Sequence, residues 1–319
     1  MLIKDSKIYL AGHKGMVGAS ILRCLNKNGF NNTITRTRDE LNLIDQIKTK
    51  NFFNDEKPEY VFIAAAKVGG ILANSKYRGQ YLYENLCIQN NIIHSAHEAG
   101  VRKLIFLGSA CVYPRASEQP IKESSLLSGY LEPTNEPYAI AKIAGIKMCQ
   151  SYFHQFGDNF ISLMPSNLYG PNDNFDLETS HVLPALIRKI HEAKIKEKNT
   201  VEIWGTGKPL REFLHVDDLA SAAVFLMEQL NADKLFDKGI SHINIGSGEE
   251  ISIEGLAMKI KKIIGFNGGL IFNKDKPDGM PRKLLDISVL NNLGWKSSIP
   301  LSDGLESVYS WFLNENKNK

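Results

Sequence analysis

A glycine-spaced turn, 12-GHKGMVG-18, follows directly on the apolar run Ile8-Tyr9-Leu10-Ala11. No other feature restricts the fold as much. A buried strand can turn this tightly into a helix only where Gly12, Gly15 and Gly18 lack a Cβ, and that lack also lets backbone approach a pyrophosphate. The helix beyond aims its free N–H groups and positive dipole end at the anion. Spacing alone is a weak signal. A strand before it, a helix after it and a place near the N-terminus make it a nucleotide site formed by Gly12, His13, Lys14, Gly15, Met16, Val17 and Gly18.

The following chain alternates in the same way. Strands are expected at 33–37, 60–66 and 104–108, and helices at 18–28, 43–54 and 85–100, the last ended by Gly100. The strands show no polar alternation, as in a sheet buried on both faces. Together these predict an α/β, Rossmann-type doubly wound parallel sheet. After residue 170 the chain becomes polar and turn-rich, with helices expected at 217–230 and 252–264 and a strand at 242–246. The expected division is a nucleotide-binding domain over 1–170, with a returning segment near 213–245, and a smaller mixed α/β C-terminal substrate lobe over 171–319. The tail 314–319 reads as frayed.

Composition narrows the function classes. A chain of 319 residues with 43% hydrophobic residues can bury one large core, or a core plus a lobe. The net charge of +3, without an arginine-rich stripe, argues against nucleic acid and suits an anionic small molecule. Cys24, Cys87, Cys111 and Cys149 form no CxxC pair, so neither a zinc site nor a disulfide framework is expected. No window reaches the ~18 apolar residues of a membrane span, and the N-terminus lacks a signal-peptide core. A cytoplasmic protein is expected.

Two stretches carry the chemistry. At the end of the second expected strand, 35-TRTRDEL-41 places Arg36 and Arg38 where an NAD site would place an acid. Their guanidinium forks suit a 2′-phosphate, and Lys14 adds charge, so NADP(H) is expected. Asp39 and Glu40 are positioned to pair with them. In 138-YAIAK-142, Tyr138 and Lys142 lie one helical turn apart. The ammonium is expected to lower the phenol pKa, and Ser109, past the strand 104-LIFLG-108, to offer a hydroxyl to the same carbonyl oxygen.

Glycine turn, Ser109 and Tyr138-x-x-x-Lys142 together resemble the extended short-chain dehydrogenase/reductase superfamily. The strings GHKGMVG, RTRDELNL, AAAKVGGI, EPTNEPYAIAKIAGIK, NLYGPNDNF, REFLHVDD and KPDGMPRKLLD, in order from about residue 8 to 313, resemble the GDP-L-fucose synthase family. That resemblance implies a homodimer using NADPH on GDP-4-keto-6-deoxy-mannose, epimerising C3 and C5 and reducing the C4 ketone. It implies Tyr138, Ser109 and Lys142 for reduction, and Cys111 and His181 for epimerisation. Further cofactor contacts follow at Arg38, Asp39, Leu41, Asn42, Leu43, Leu107, Gly108, Lys142, Pro165, Asn167, Leu168 and His181. Substrate contacts follow at Lys189, Trp204, Arg211, Asp278 and Lys283. For Cys111 a buried filler is the rival role, for Trp204 a core side chain, and for His181 a packed residue at a helix start. His215 and Asp217 read as structural at the lobe junction. The sequence departs from the family pattern at Lys14 and Lys189, where arginines can stand, and at Ala110, where a serine can. A C4-reductase without epimerase activity on another GDP-4-keto sugar, such as a heptose, and a non-catalytic NADP-binding protein stay open as alternatives.

Overall fold

The computed structural model describes residues 3–276 and 278–317. Its first half alternates strand and helix: β1 (Ile8–Ala11), α1 (Met16–Lys27), β2 (Thr33–Ile34), α2 (Gln46–Glu56), β3 (Tyr60–Ile63), α3 (Ile71–Lys76), α4 (Arg78–Glu98), β4 (Lys103–Leu107), α5 (Glu136–Phe156) and β5 (Phe160–Pro165). Then come β6 (Asn167–Tyr169), α6 (Val182–Ile195), β7 (Thr200–Trp204), β8 (Leu210–His215), α7 (Val216–Gln229), α8 (Asp233–Phe236) and β9 (Ile243–Ile245). The chain ends in β10 (Glu250–Ser252), α9 (Ile253–Ile264), β11 (Gly269–Asn273), β12 (Arg282–Lys283), α10 (Ser288–Asn292) and α11 (Leu301–Lys317).

The main sheet is six-stranded and parallel, in the order β2-β1-β3-β4-β5-β9. Alternate residues of one strand feed opposite cores. Ile8 and Leu10 join Leu25, Leu219 and Leu226 beneath α1 and α7, while Tyr9 and Ala11 join Phe53, Ile92 and Ile146 beneath α2, α4 and α5. This is the doubly wound α/β arrangement. Order reverses between β1 and β3, and ligands bind such sheets beyond the strand ends at that reversal. Buried Lys103 ties β4 to α7 by donating to Leu226 O at 2.8 Å and Met227 O at 2.5 Å, carbonyls in the last turn of that helix.

A smaller core gathers Leu183, Ile187, Ile203, Phe213, Leu256, Ile260 and Val308. Around it, β8 is flanked by β10 and β12 and also pairs with β6, while β7 pairs with β11. The chain crosses between the two cores more than once. β9 completes the main sheet, and Leu290 and Trp295 pack beneath it.

Several boundaries differ from the sequence reading for local reasons. β2 stops at Ile34 because 37–40 is a turn in which Thr37 N donates to Glu40 Oε2 at 2.6 Å. α2 starts at Gln46, where Asp45 caps it by accepting from Lys48 N at 3.0 Å. α4 begins at Arg78, a full two turns earlier than expected, because its first turns bury polar Glu84 and Asn85 rather than an apolar stripe. The tail is helical to Lys317, and 318–319 lie outside the described residues.

Candidate active site

The glycine turn closes on itself and on β3. Gly15 N donates to Gly12 O at 3.1 Å, and Gly12 has φ +86° with Ala64 and Ala65 backbone 2.7 Å from where a Cβ would sit. A Cβ at Gly18 would collide with Gly12 O itself. At Gly15 the same atom is an ordinary 3.5 Å away, so this glycine leaves open backbone for a ligand. The buried Nδ1 of His13 has no hydrogen-bond partner. An unpaired ring nitrogen, a bare N-terminal turn of α1 and a position at the sheet reversal fit a dinucleotide.

The expected ribose-phosphate cations separate on inspection. Arg36 is already engaged, donating to Glu56 Oε1 at 2.6 Å and to Thr35 O at 2.9 Å. Its fork is therefore not free, which corrects the expectation for that residue. Arg38 is 68% exposed at its side chain and only 3.7 Å from Glu84 Oε2. Lys14 is exposed, and Asp39 is exposed beside Arg38. Leu41 and Leu43 are fixed by the core under α4, with Leu43 O accepting from Asn91 Nδ2 at 2.9 Å, and Asn42 Oδ1 accepts from Ile44 N at 3.3 Å. On the far side of the sheet edge Pro165 ends β5, Leu168 packs on the core, and Asn167 Nδ2 donates to Glu212 O at 2.8 Å.

Ser109, Cys111, Tyr138 and Lys142 meet at the carboxyl end of β4. Ser109 starts a short 3-10 turn over Ala110–Val112, and its Oγ accepts from Cys111 N at 3.4 Å. Cys111 and Tyr138 are both buried and pack together with Ala73, Tyr81 and Ala139 from α3, α4 and α5. A Cβ at Gly108 would occupy the place of the Met164 methyl, so a side chain there would push buried Met164 aside. Lys142 Nζ donates to Leu107 O at 2.7 Å and lies 4.7 Å over the Phe106 ring.

Burial governs the charge states. It raises the Tyr138 phenol well above its ordinary value, Cys111 adds to this, and the Ser109 hydroxyl opposes it. The expected lowering by Lys142 is absent. The ammonium bonds a carbonyl, 5.8 Å from the Tyr138 ring, and is itself brought by burial to about 8. Tyr138 is thus held as a phenol, the state that gives a proton. Burial also pushes the Cys111 thiol up, against Lys283.

His181 is the N-cap of α6, yet its side chain makes no cap bond. The residue is exposed to solvent, yet the protein around the ring disfavours its charged form and holds the imidazole below its usual range, with Lys283 adding to the effect. Lys283 therefore acts on both Cys111 and His181. Burial lowers it, while Cys111 and Glu132 oppose and Arg211 adds. The thiol side of the cleft holds Cys111, Glu132, Asn135, Met280 and Lys283 around one small cavity.

Lys189, Trp204, Arg211 and Asp278 lie on the lobe. Trp204 is 49% exposed, not a core residue, with Lys189 Nζ 5.1 Å and Lys276 Nζ 5.4 Å from its ring centre. Arg211 donates to Leu210 O at 2.7 Å, and Asp278 accepts from Thr206. Pro277, within the KPDGMPRKLLD string, lies outside the described residues. His215 Nδ1 accepts from Asp217 N at 3.2 Å at the start of α7, and Asp217 accepts from Arg23 at 2.7 Å, both structural contacts.

Three polar groups were missed in the sequence. Asn135 N-caps α5, but its side chain makes no cap bond and its buried Oδ1 has no partner, facing the Cys111 cavity. Its position three residues before Tyr138 was the available signal. Ser166 Oγ is likewise buried and unpaired, and Lys276 flanks Trp204.

Residues 8–246 match the model of the NAD dependent epimerase/dehydratase family. The chain belongs to that family. Within it, the chain is 54% identical to GDP-L-fucose synthase 1 of Arabidopsis thaliana, covering 99% of this chain and 96% of that one. It is 51% identical to GDP-L-fucose synthase of Escherichia coli, over 99% of both chains. Among solved structures, a GDP-mannoheptose C4 reductase from Campylobacter jejuni with NADP bound superposes with a TM-score of 0.90 at 45% identity, covering 98% of this chain and 100% of that chain. The family assignment agrees with the doubly wound sheet and with the glycine turn at its reversal.

Proposed function

We infer that the protein is an NADPH-dependent epimerase-reductase of a GDP-linked 4-keto-6-deoxy sugar, inverting C3 and C5 and reducing C4 to give GDP-L-fucose or a close analogue. One juxtaposition carries the reading: a buried thiol, Cys111, shares the carboxyl end of β4 with Ser109 and packs beside Tyr138. A pure ketone reductase needs Ser109, Tyr138 and Lys142. It has no use for a thiol there.

Bound NADPH supplies the hydride for C4. Ser109 and Tyr138 polarise the C4 oxygen, and Tyr138, held as a phenol, gives it a proton as charge develops. Lys142 anchors that corner through Leu107 O. The same polarised ketone acidifies the hydrogens on C3 and C5. Inversion then removes a proton from one face and returns one to the other. Cys111, raised, keeps its proton as a thiol, and His181, lowered, is the free imidazole near neutral pH. His181 can therefore take the substrate's proton while Cys111 returns one to the opposite face; the pair, then imidazolium and thiolate, can serve the second centre in the reverse sense. On the lobe, Lys189, Trp204 and Arg211 are assigned to the GDP part and Lys283 to the sugar end.

A second reading is a C4-reductase without epimerase activity on a GDP-4-keto heptose, favoured by the similar Campylobacter jejuni reductase. Incubation with the 4-keto sugar in D2O without cofactor decides between them. Deuterium is expected at C3 and C5, and Cys111→Ala is expected to suppress it. An unexchanged sugar that NADPH still reduces would leave only the second reading.

We assign the homodimer to α4 and α5, where Tyr83 and Ile140 are exposed at 63% and 43%. Among the described residues no helix is long and apolar enough to cross a membrane. We propose a cytoplasmic setting, with no membrane or nucleic-acid partner, for this nucleotide-sugar chemistry.

A further inference from the structure

Resting on the GDP-sugar reading, we propose that Asp278 is a positioning residue rather than a substrate ligand. It latches the β11–β12 connection to the 204-WGTG-207 turn, and so builds the nucleoside-diphosphate site around Trp204.

Both carboxylate oxygens of Asp278 are occupied from within the protein. Oδ1 accepts from Thr206 N at 2.9 Å and Oδ2 from Thr206 Oγ1 at 2.7 Å. These bonds, with Arg211 and Lys208 nearby, hold the carboxyl below its usual range, so it stays ionised and fully committed. Gly205 of the turn admits this contact. Gly205 has φ +79°, and a Cβ there would take the place of Asp278 Oδ1. Any side chain would exclude the latch twice over, by backbone strain and by collision.

The latched segment then reaches every part of the lobe site. Two residues before Asp278, Lys276 lies 5.4 Å from the centre of the Trp204 ring. One residue after it, Gly279 leaves room for the Arg211 guanidinium, whose Nη2 is 2.6 Å from where a Cβ would sit. Further on, Lys283 pairs in register with Arg211 and lines the Cys111 cavity. Opposite, Lys189 of α6 lies 5.1 Å from the same Trp204 ring. A half-exposed Trp204 ring with the Lys189 and Lys276 ammoniums over it, and Arg211 beside the same latched segment at Gly279, suits a ligand that carries a diphosphate next to an aromatic base. Asp278, negative and next to that diphosphate, would repel it as a direct ligand. Held by its two hydrogen bonds from Thr206, it instead places Lys276 and spaces Arg211.

The test is calorimetric titration of the full NADP-loaded chain with GDP. Thr206→Val and Asp278→Asn are each expected to weaken GDP binding by about fivefold, the worth of one net hydrogen bond. Their combination should be no worse than either alone, because both cut one latch. Thr206→Ser should restore wild-type affinity, and NADPH affinity and melting temperature should not move. A wild-type chain that does not bind GDP would overturn the GDP-sugar reading itself. GDP binding that Asp278→Asn weakens but Thr206→Val leaves intact would make Asp278 a direct ligand and overturn the latch. Wild-type affinity in both variants, or parallel losses of melting temperature and NADPH affinity, would overturn it too.

Discussion

The parts of the cleft proposed for cofactor and for substrate are built by opposite means. At the glycine turn the site is backbone, fixed by contacts too close for any side chain: Gly18 against Gly12 O, and Gly12 against Ala64 and Ala65. On the lobe the site is long side chains on an exposed surface, with Trp204 49% exposed and two lysine ammoniums over its ring. Backbone sites tolerate no error and need no charge. Side-chain sites tolerate substitution but depend on latches such as Asp278 with Thr206. Losses in the first half should therefore take fold and binding together. In the second half they should separate.

The largest expected effect is at Gly18. Gly18→Ala puts a methyl into a carbonyl oxygen that belongs to the backbone, so nothing flexible can give way. Loss of NADPH binding is expected, with more than about 3 kcal/mol of stability, read by denaturant unfolding. A stable variant that binds NADPH would break the contrast. Next comes Tyr138→Phe, which keeps the packing among Cys111, Ala139 and Tyr81 but removes the proton donor. Reduction is expected to fall roughly 10²–10⁴-fold, the usual worth of general acid catalysis, with NADPH binding retained.

What the sequence made legible follows the same divide. Ile8–Ala11, the glycine turn, Ser109, Tyr138 and Lys142 were readable because strand, turn and helix spacing dictate them locally. The charge state of Tyr138 was not. Spacing puts Lys142 on the same helix face, but only the fold shows its ammonium spent on Leu107 O. Arg36 was misjudged for a similar reason, since its partner Glu56 lies twenty residues away on α2. The early start of α4 was hidden because its buried face is polar, with Asn85 Nδ2 donating to Lys67 O at 3.0 Å and Lys67 Nζ reaching Glu84 at 3.2 Å. Lys276 could not be found by pattern, because its position obeys no periodicity, and Asn135 offered only its place three residues before Tyr138.

Asp173, in the loop leading to His181, tests the boundary between the two halves by pH. Its Oδ2 is buried without a partner, and burial raises the carboxyl to about 7. A carboxyl raised on folding contributes stability fully below its unfolded value near 3.8 and loses it as pH rises through about 7. Asp173→Asn should match the wild type near pH 4 and gain on it by roughly 2 kcal/mol at pH 8, about half the full linkage value given partial access to water. A constant gap across that range would mean that the carboxyl is solvated and the loop is open.

The smallest effect is at the edge of the cofactor half, where backbone gives way to an exposed side chain. Arg38 is 68% exposed and only loosely paired with Glu84, whereas Arg36 is bound to Glu56 at 2.6 Å. Assigning the 2′-phosphate to Arg38 predicts that Arg38→Ala weakens NADPH about fivefold at low salt and less at high salt, since exposed charges are screened. NADH, which has no such phosphate, should bind the variant and the wild type alike. Arg36→Ala should change the preference between the two cofactors by less than about twofold. Equal losses of NADPH and NADH in Arg38→Ala would show that the side chain holds the turn rather than the phosphate. The cofactor half would then be fixed from within at its rim as it is at Gly18.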